Sequence, residues 1–184
     1  VTVTKLGAPA PLVKVQGANP RMTIHSDALK LQASAELPTM TCVSQDLSSA
    51  KMGFSWFEDT GAFTGQLSGT SKNPRALEIP AGSLAAGVSY IFRVVGYMVD
   101  EMSLNNTGSV TVTIVPQDLV ARIAGGAYQQ IGRDTDFELD GSESEDPDEY
   151  VLPFVYAWSC AEVSAGASCG ALGNLGTDAV ANVA

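Results

Sequence analysis

Apolar and polar side chains alternate with a period of two through much of the chain, and the alternation breaks at clusters of turn-forming residues. Val13/Val15, Leu29/Leu31/Ala33, Met52/Phe54/Trp56, Leu77/Ile79, Tyr90/Phe92/Val94 and Val110/Val112/Ile114 each put apolar side chains on one face of an extended segment. Between them, Gly17-Ala18-Asn19-Pro20, Asp59-Thr60-Gly61, Lys72-Asn73-Pro74 and Pro80-Ala81-Gly82 carry turn chemistry. No stretch sustains a helical period with caps. Six or seven short strands with a Trp on the third predict an all-β, immunoglobulin-like or fibronectin-III-like β-sandwich.

The pattern then returns. Val1-Thr2-Val3-Thr4 recurs as Val110-Thr111-Val112-Thr113, and Lys14-Val15-Gln16-Gly17 recurs in kind as Arg122-Ile123-Ala124-Gly125. Leu29-Lys30-Leu31-Gln32-Ala33-Ser34 recurs as Phe137-Glu138-Leu139-Asp140-Gly141-Ser142, and Phe54-Ser55-Trp56 as Tyr156-Ala157-Trp158. A period of about 105 residues is too long for a solenoid unit and suits tandem autonomous domains. The expected organisation is the last strand of a preceding sandwich in residues 1–10, a complete sandwich in 11–116, and the N-terminal half of a second, truncated one in 117–184. Its Ala/Gly-rich tail offers little to bury.

Charge separates these parts. The net charge is −10, and up to Pro116 acidic and basic residues balance. Beyond it, Arg122 and Arg133 face twelve carboxylates. Without a basic patch to displace counterions, nucleic acid is excluded as a partner, and a membrane enters only through parts outside these residues. No apolar run reaches transmembrane length.

Three cysteines are present. Cys160 and Cys169 flank a short Ala/Gly/Ser loop, which a local disulfide would pin; Cys42 is left over, as a buried thiol or as a partner for a cysteine elsewhere. Asn105-Asn106-Thr107 is an N-glycosylation sequon in a polar loop. Both point to an extracellular setting.

Leu84, Gly87 and Tyr90 are spaced as a tyrosine corner, in which the phenol bonds back to the preceding connection. Trp56 and Trp158 are read as core residues rather than sugar-stacking platforms. Asp59-Thr60-Gly61 spells an aspartic-protease signature, but that chemistry needs two such loops, so a tight turn is the expected role. His25, beside Ser26 and Asp27, reads as a solvated strand entrance. Asp134, Asp136, Glu138 and Asp140 alternate along the outer face of a strand. Glu143, Glu145, Asp146, Asp148 and Glu149 crowd one loop, either as a Ca²⁺ site built of hard oxygens or as a solvated acidic loop. No catalytic residue and no obligatory cofactor is expected, since no nucleophile elbow, P-loop or dinucleotide fingerprint occurs.

Pro80-Ala81-Gly82-Ser83-Leu84-Ala85-Ala86-Gly87-Val88-Ser89-Tyr90-Ile91-Phe92 resembles a stretch of the REJ (receptor for egg jelly) family. Leu139-Asp140-Gly141-Ser142-Glu143-Ser144-Glu145-Asp146-Pro147-Asp148, with Tyr156-Ala157-Trp158-Ser159-Cys160, is similar both to REJ and to the related PKD-type sandwich. The first copy departs from it, with Ala35-Glu36-Leu37-Pro38 at the acidic segment and no Cys after Trp56. The resemblance implies a large surface glycoprotein: a polycystin-like or gamete receptor, or a ciliary-surface protein. The expected function is a structural or adhesive spacer; the alternative is a carbohydrate- or ligand-binding module, with or without Ca²⁺. Expected partners are neighbouring domains of the same chain, other subunits of a surface or filament assembly, and glycans.

Overall fold

The computed structural model describes residues 10–38, 51–67, 72–132, 135–150, 153–161, 163 and 176–183. The opening strand expected in residues 1–10, Cys42 and Cys169 lie outside the described residues, Ala10 excepted. The chain divides into two compact units, Val1–Pro116 and Gln117–Ala184. All regular structure among the described residues is β, without a helix.

In the first unit, β1 (Leu12–Val15), β3 (Leu29–Glu36) and β5 (Ala76–Ile79) form one sheet in the order β1-β3-β5. The second sheet contains β2 (Arg21–Ile24), β4 (Met52–Glu58), β6 (Ser89–Met98) and β7 (Asn105–Val115), in the order β2-β7-β6-β4. All pairings are antiparallel except β2 with β7, which is parallel. The alternation read from the sequence explains the layering. Leu29 and Leu31 of β3, with Leu77 and Ile79 of β5, meet Tyr90, Phe92, Val110, Val112 and Ile114 of β6 and β7 in one buried cluster. A second cluster joins Val13, Ala33, Phe54 and Val94. Each such side chain, taken fully from water, contributes about 1.5–3 kcal/mol. Trp56 is half-buried and packs against both clusters.

The strand that the alternation does not reveal is β2. Its Arg-Met-Thr-Ile sequence leaves Met22 exposed, on the strand face opposite to that of its half-buried neighbours Arg21 and Thr23. Polar groups anchor its start: the Asn19 amide donates to Ser109 O (3.2 Å) and accepts from Thr111 N (3.1 Å). Arg21 donates to Gln16 O, Ala18 O and Lys30 O, tying the turn back to β3. His25 corrects the expectation of a solvated entrance. It is buried, and Nδ1 lies 2.7 Å from Leu84 O.

In the second unit, β8 (Phe137–Asp140) pairs antiparallel with β9 (Val180–Val183). The tail is therefore not idle: Ala181 is buried, and the backbone of β9 completes a ladder. Of the expected acidic strand face, Glu138 and Asp140 lie on β8 and Asp136 precedes it, while Asp134 lies outside the described residues. The bond from Gln16 N to Gln32 O (2.8 Å) in the first unit recurs as Ala124 N to Asp140 O (2.7 Å) in the second, about 108 positions on. The following glycines, Gly17 and Gly125, both take a left-handed backbone, with φ of 93° and 86°.

Close approach fixes one further glycine. A Cβ on Gly108 would stand 3.0 Å from Val13 O and 3.1 Å from Lys14 Cα, both main-chain atoms of β1. Gly108→Ala is therefore expected to lower stability by about 1–3 kcal/mol, read as a fall in the denaturation midpoint. An unchanged midpoint would contradict this packing of β1.

Candidate functional site

The Asp59-Thr60-Gly61 turn is organised for structure. The Glu58 carboxylate at the end of β4 accepts from Thr60 N (2.8 Å), Thr60 Oγ1 (2.5 Å) and Gly61 N (2.8 Å). Partial burial raises the Glu58 pKa, but these bonds, led by that of the Thr60 side chain, outweigh it and hold it below the ordinary carboxylate value. Asp59 makes a bidentate pair with Arg93 of β6, at 2.7 and 2.9 Å. That hydrogen bond is the main cause holding the Asp59 pKa down. Arg93 also lies over the Phe57 ring, 4.7 Å from its centroid.

On the opposite connection, the Tyr90 phenol accepts from Ala85 N at 2.9 Å, with Leu84 and Ala86 buried around it. Gly87, whose φ is 74°, donates its N–H to Ile114 O (2.8 Å). Leu84, Gly87 and Tyr90 thus lock the crossover into β6. Asn105 opens β7 on the surface, with Nδ2 donating to Met102 O (2.9 Å).

The acidic loop of the second unit is a set of local clasps. Asp140 accepts from Ser142 N (2.8 Å), and its pKa is lowered, first by the Ser142 side chain and then by this backbone bond. Ser144 Oγ accepts from Arg122 N (3.1 Å) and donates to Arg122 O (3.3 Å). Glu145 pairs with Arg122 Nη2 at 2.6 Å, while Val120 and Glu145 exchange backbone bonds. Asp146 accepts from Asp148 N (2.9 Å) and Tyr150 N (3.2 Å). Asp148 is buried, and its Oδ2 accepts from Gln117 N at 2.7 Å. Glu149 holds a left-handed φ of 55°, and Glu143 is exposed.

The proposed calcium ligands Glu143, Glu145, Asp146, Asp148 and Glu149 are therefore not brought together. Among the described residues, no three His, Cys, Asp or Glu side chains group so as to hold a metal ion. The physical reason is that Glu145, Asp146 and Asp148 are turned toward donors of the loop itself and of residues 117–122. Sequence reasoning missed Arg122 and Ser144 as members of this loop. The signal was available in Arg122, one of two cations set among so many carboxylates.

Beside the loop, Pro153–Ser159 runs extended with exposed and half-buried residues alternating. Phe154, Tyr156 and Trp158 point to one side, and the first two rings meet edge to face at 6.1 Å. Together with Leu119–Ile123 they line a groove of about 320 Å³. Gly141 forms its floor, since a Cβ there would lie 3.2 Å from Trp158 and 3.3 Å from Tyr156. Trp158 thus corrects the expectation of a core indole. It is half-buried in a groove wall and donates through Nε1 to Asp178 O at 2.9 Å, and among the described residues no strand ladder flanks residues 153–159. Trp56 and Trp158 consequently occupy different settings. Cys160, at the end of this segment, is disulfide-bonded; its partner lies outside the described residues.

These features define an all-β chain of two units whose polar motifs serve turns and crossovers. The REJ domain model matches residues 38–177, more than half of the chain, and the chain belongs to the REJ-domain family. No curated protein and no solved structure matches it.

The depressed carboxylates make stability depend on pH with a definite sign. Glu58, Asp59 and Asp140 bind protons less readily in the folded state, so the unfolded state protonates first as pH falls. Their contribution is complete above the ordinary values of 4.5 for Glu and 3.8 for Asp, and is lost as pH drops through the lower folded values. The melting temperature is expected to fall below a pH of about 4.5. An E58Q/D59N variant is expected to lose less over that acid range than the parent. Identical acid slopes would contradict the assignment.

Proposed function

We propose that this chain is a non-catalytic structural or adhesive spacer within an extracellular multi-domain glycoprotein of the polycystin-like kind, on a cell or ciliary surface. In this reading it is built of tandem immunoglobulin- or fibronectin-III-like β-sandwiches. The strand order supports the architecture: β1-β3-β5 corresponds to strands A-B-E and β4-β6-β7 to C-F-G, with β2 as a second stretch of the first strand carried into the other sheet. The observation that carries the tandem reading is the recurring bond, Gln16 N to Gln32 O and Ala124 N to Asp140 O. The second unit starts with the same main-chain bond as the first, donated to β3 in one and to β8 in the other.

The spacer role rests on succession without a linker. β7 ends at Val115, and Val120 already bridges to Glu145 within the second unit, so the connecting stretch is short. Each unit would advance the array by about 35–45 Å, given strands of roughly ten residues at 3.3 Å per residue. Its partners are then neighbouring domains and other subunits of a surface assembly. The disulfide at Cys160 and the exposed sequon at Asn105 support an oxidising, secreted setting.

Small-angle scattering of the chain is expected to give an elongated, two-lobed particle. A radius of gyration near 16 Å, which a compact chain of this length would show, would rule out the rod. Secretion from a eukaryotic host is expected to add one N-glycan, removed by Asn105→Gln. A mass without that glycan would contradict the extracellular assignment.

A further inference from the structure

The sequon at Asn105 has an aromatic neighbour across the ladder. Asn105 of β7 stands opposite Tyr97 of β6, and Tyr97 stands opposite Gly53 of β4. Met98 N donates to Leu104 O at 3.1 Å. The next rung, Tyr97 with Asn105, is therefore a non-hydrogen-bonded pair, the closer of the two kinds. Phe92 and Val94 of β6 and Val110 and Val112 of β7 point into the core, so by alternation Tyr97 and Asn105 share the outer face of the sheet. Gly53 sets the position of the ring. A Cβ there would stand 2.5 Å from Tyr97 Cε2 and 2.7 Å from its Oη, so the ring fills the space above the glycine, with one face against β4 and the other outward. Tyr97 is accordingly half-buried, and Asn105 is exposed. Asn105 Nδ2 donates to Met102 O (2.9 Å) and Ser103 O (3.4 Å); attaching a sugar replaces one of its two hydrogens and leaves the other for the shorter bond.

We propose, resting on the glycosylation of Asn105 proposed above, that the first N-acetylglucosamine of that glycan packs on the outward face of Tyr97. The glycan is then a structural part of the first unit rather than a free appendage. A sugar growing from Asn105 has one interstrand spacing, about 4.8 Å, to cross before it lies over the ring. One face of this sugar carries mainly C–H groups, and the electron-rich face of an aromatic ring attracts them while both leave water. Tyr97 takes the role of a cross-strand partner, with the sugar standing in for a larger side chain at Asn105. The contact bridges β7 and β6 at the end of their ladder, beside the connection that carries the exposed Val99 and Met102.

The test uses the whole chain secreted from a eukaryotic host, its glycan trimmed by an endoglycosidase to the first sugar. That single sugar is expected to hold the melting temperature roughly 2–4 °C above that of Asn105→Gln. The same comparison in a Tyr97→Leu background is expected to show no difference, and in a Tyr97→Phe background the full one. Comparing within each background cancels the cost of the Tyr97 substitution itself. Nuclear Overhauser contacts between the Tyr97 ring and protons of the first sugar are expected in the parent. The proposal is overturned if the sugar stabilises the leucine variant as much as the parent, if it stabilises neither, or if those contacts are missing. A chain secreted without any glycan would sink the extracellular reading together with the proposal, whereas a glycosylated chain lacking these signals sinks the proposal alone.

Discussion

The first unit depends on one passage, the crossing of its opening segment from one sheet to the other. β1 lies in the ladder of β3, and within a few residues β2 lies in the ladder of β7. A chain that serves both sheets holds their faces in register, but only if it can lie close to them. Val13 fills a buried site among Ala33, Phe54 and Val94, and its methyl group occupies the space a Cβ on Gly96 would need, at 2.6 Å. The turn between the two stretches is polar, and its groups are spent on neighbours: Asn19 on β7, Arg21 on the carbonyls of Gln16, Ala18 and Lys30. Hydrophobic burial supplies the stabilisation, and the hydrogen bonds select which pairing receives it.

The second unit begins with the same bond but is held differently. Ala181 is its buried apolar side chain among the described residues, whereas the first unit buries many. A unit with so little apolar burial needs other constraints. The acidic loop supplies them, because Asp140 and Asp146 close short rings of chain while Ser144, Glu145 and Asp148 tie the loop back to Gln117 and Arg122. The disulfide at Cys160 adds a covalent one. Three of the acidic loop's carboxylates, Asp140, Asp146 and Asp148, accept backbone N–H groups where there is little ladder pairing.

What could be read from the sequence follows from this division. Strands β1, β3, β4, β5, β6 and β7 were legible because one face of each meets the core, which imprints a period of two. The Tyr90 bond was legible because Leu84, Gly87 and Tyr90 are each required by its geometry. β2 was hidden because an edge strand held by Asn19 and Arg21 needs no alternation of its own. β9 was hidden because Val-Ala-Asn-Val is short and its partner β8 lies far away in sequence. His25 was misplaced for a related reason: its environment is set by Leu84, on a distant connection. Trp158 was expected to repeat the setting of Trp56, yet a residue's burial depends on the strands beside it, which local sequence does not specify.

The extent of the family match carries the same physics one step further. It starts at Pro38, after β3, and ends at Thr177, before β9, so it crosses the boundary between Pro116 and Gln117. Of the strands it leaves out, β1 and β3 contribute apolar faces and backbone pairing, which accept many side chains of similar volume, whereas β2 is held by Asn19 and Arg21. Alongside β4 to β7 it includes features of exacting geometry: the corner at Tyr90, the Asp140–Asp148 clasp and the segment from Tyr156 to Cys160. A hydrogen bond from a side chain demands one or two residue types at a fixed position, whereas burial demands only a class. The matched span therefore holds most of the first unit's buried core, from Phe54 to Ile114, together with the polar fastenings of both units.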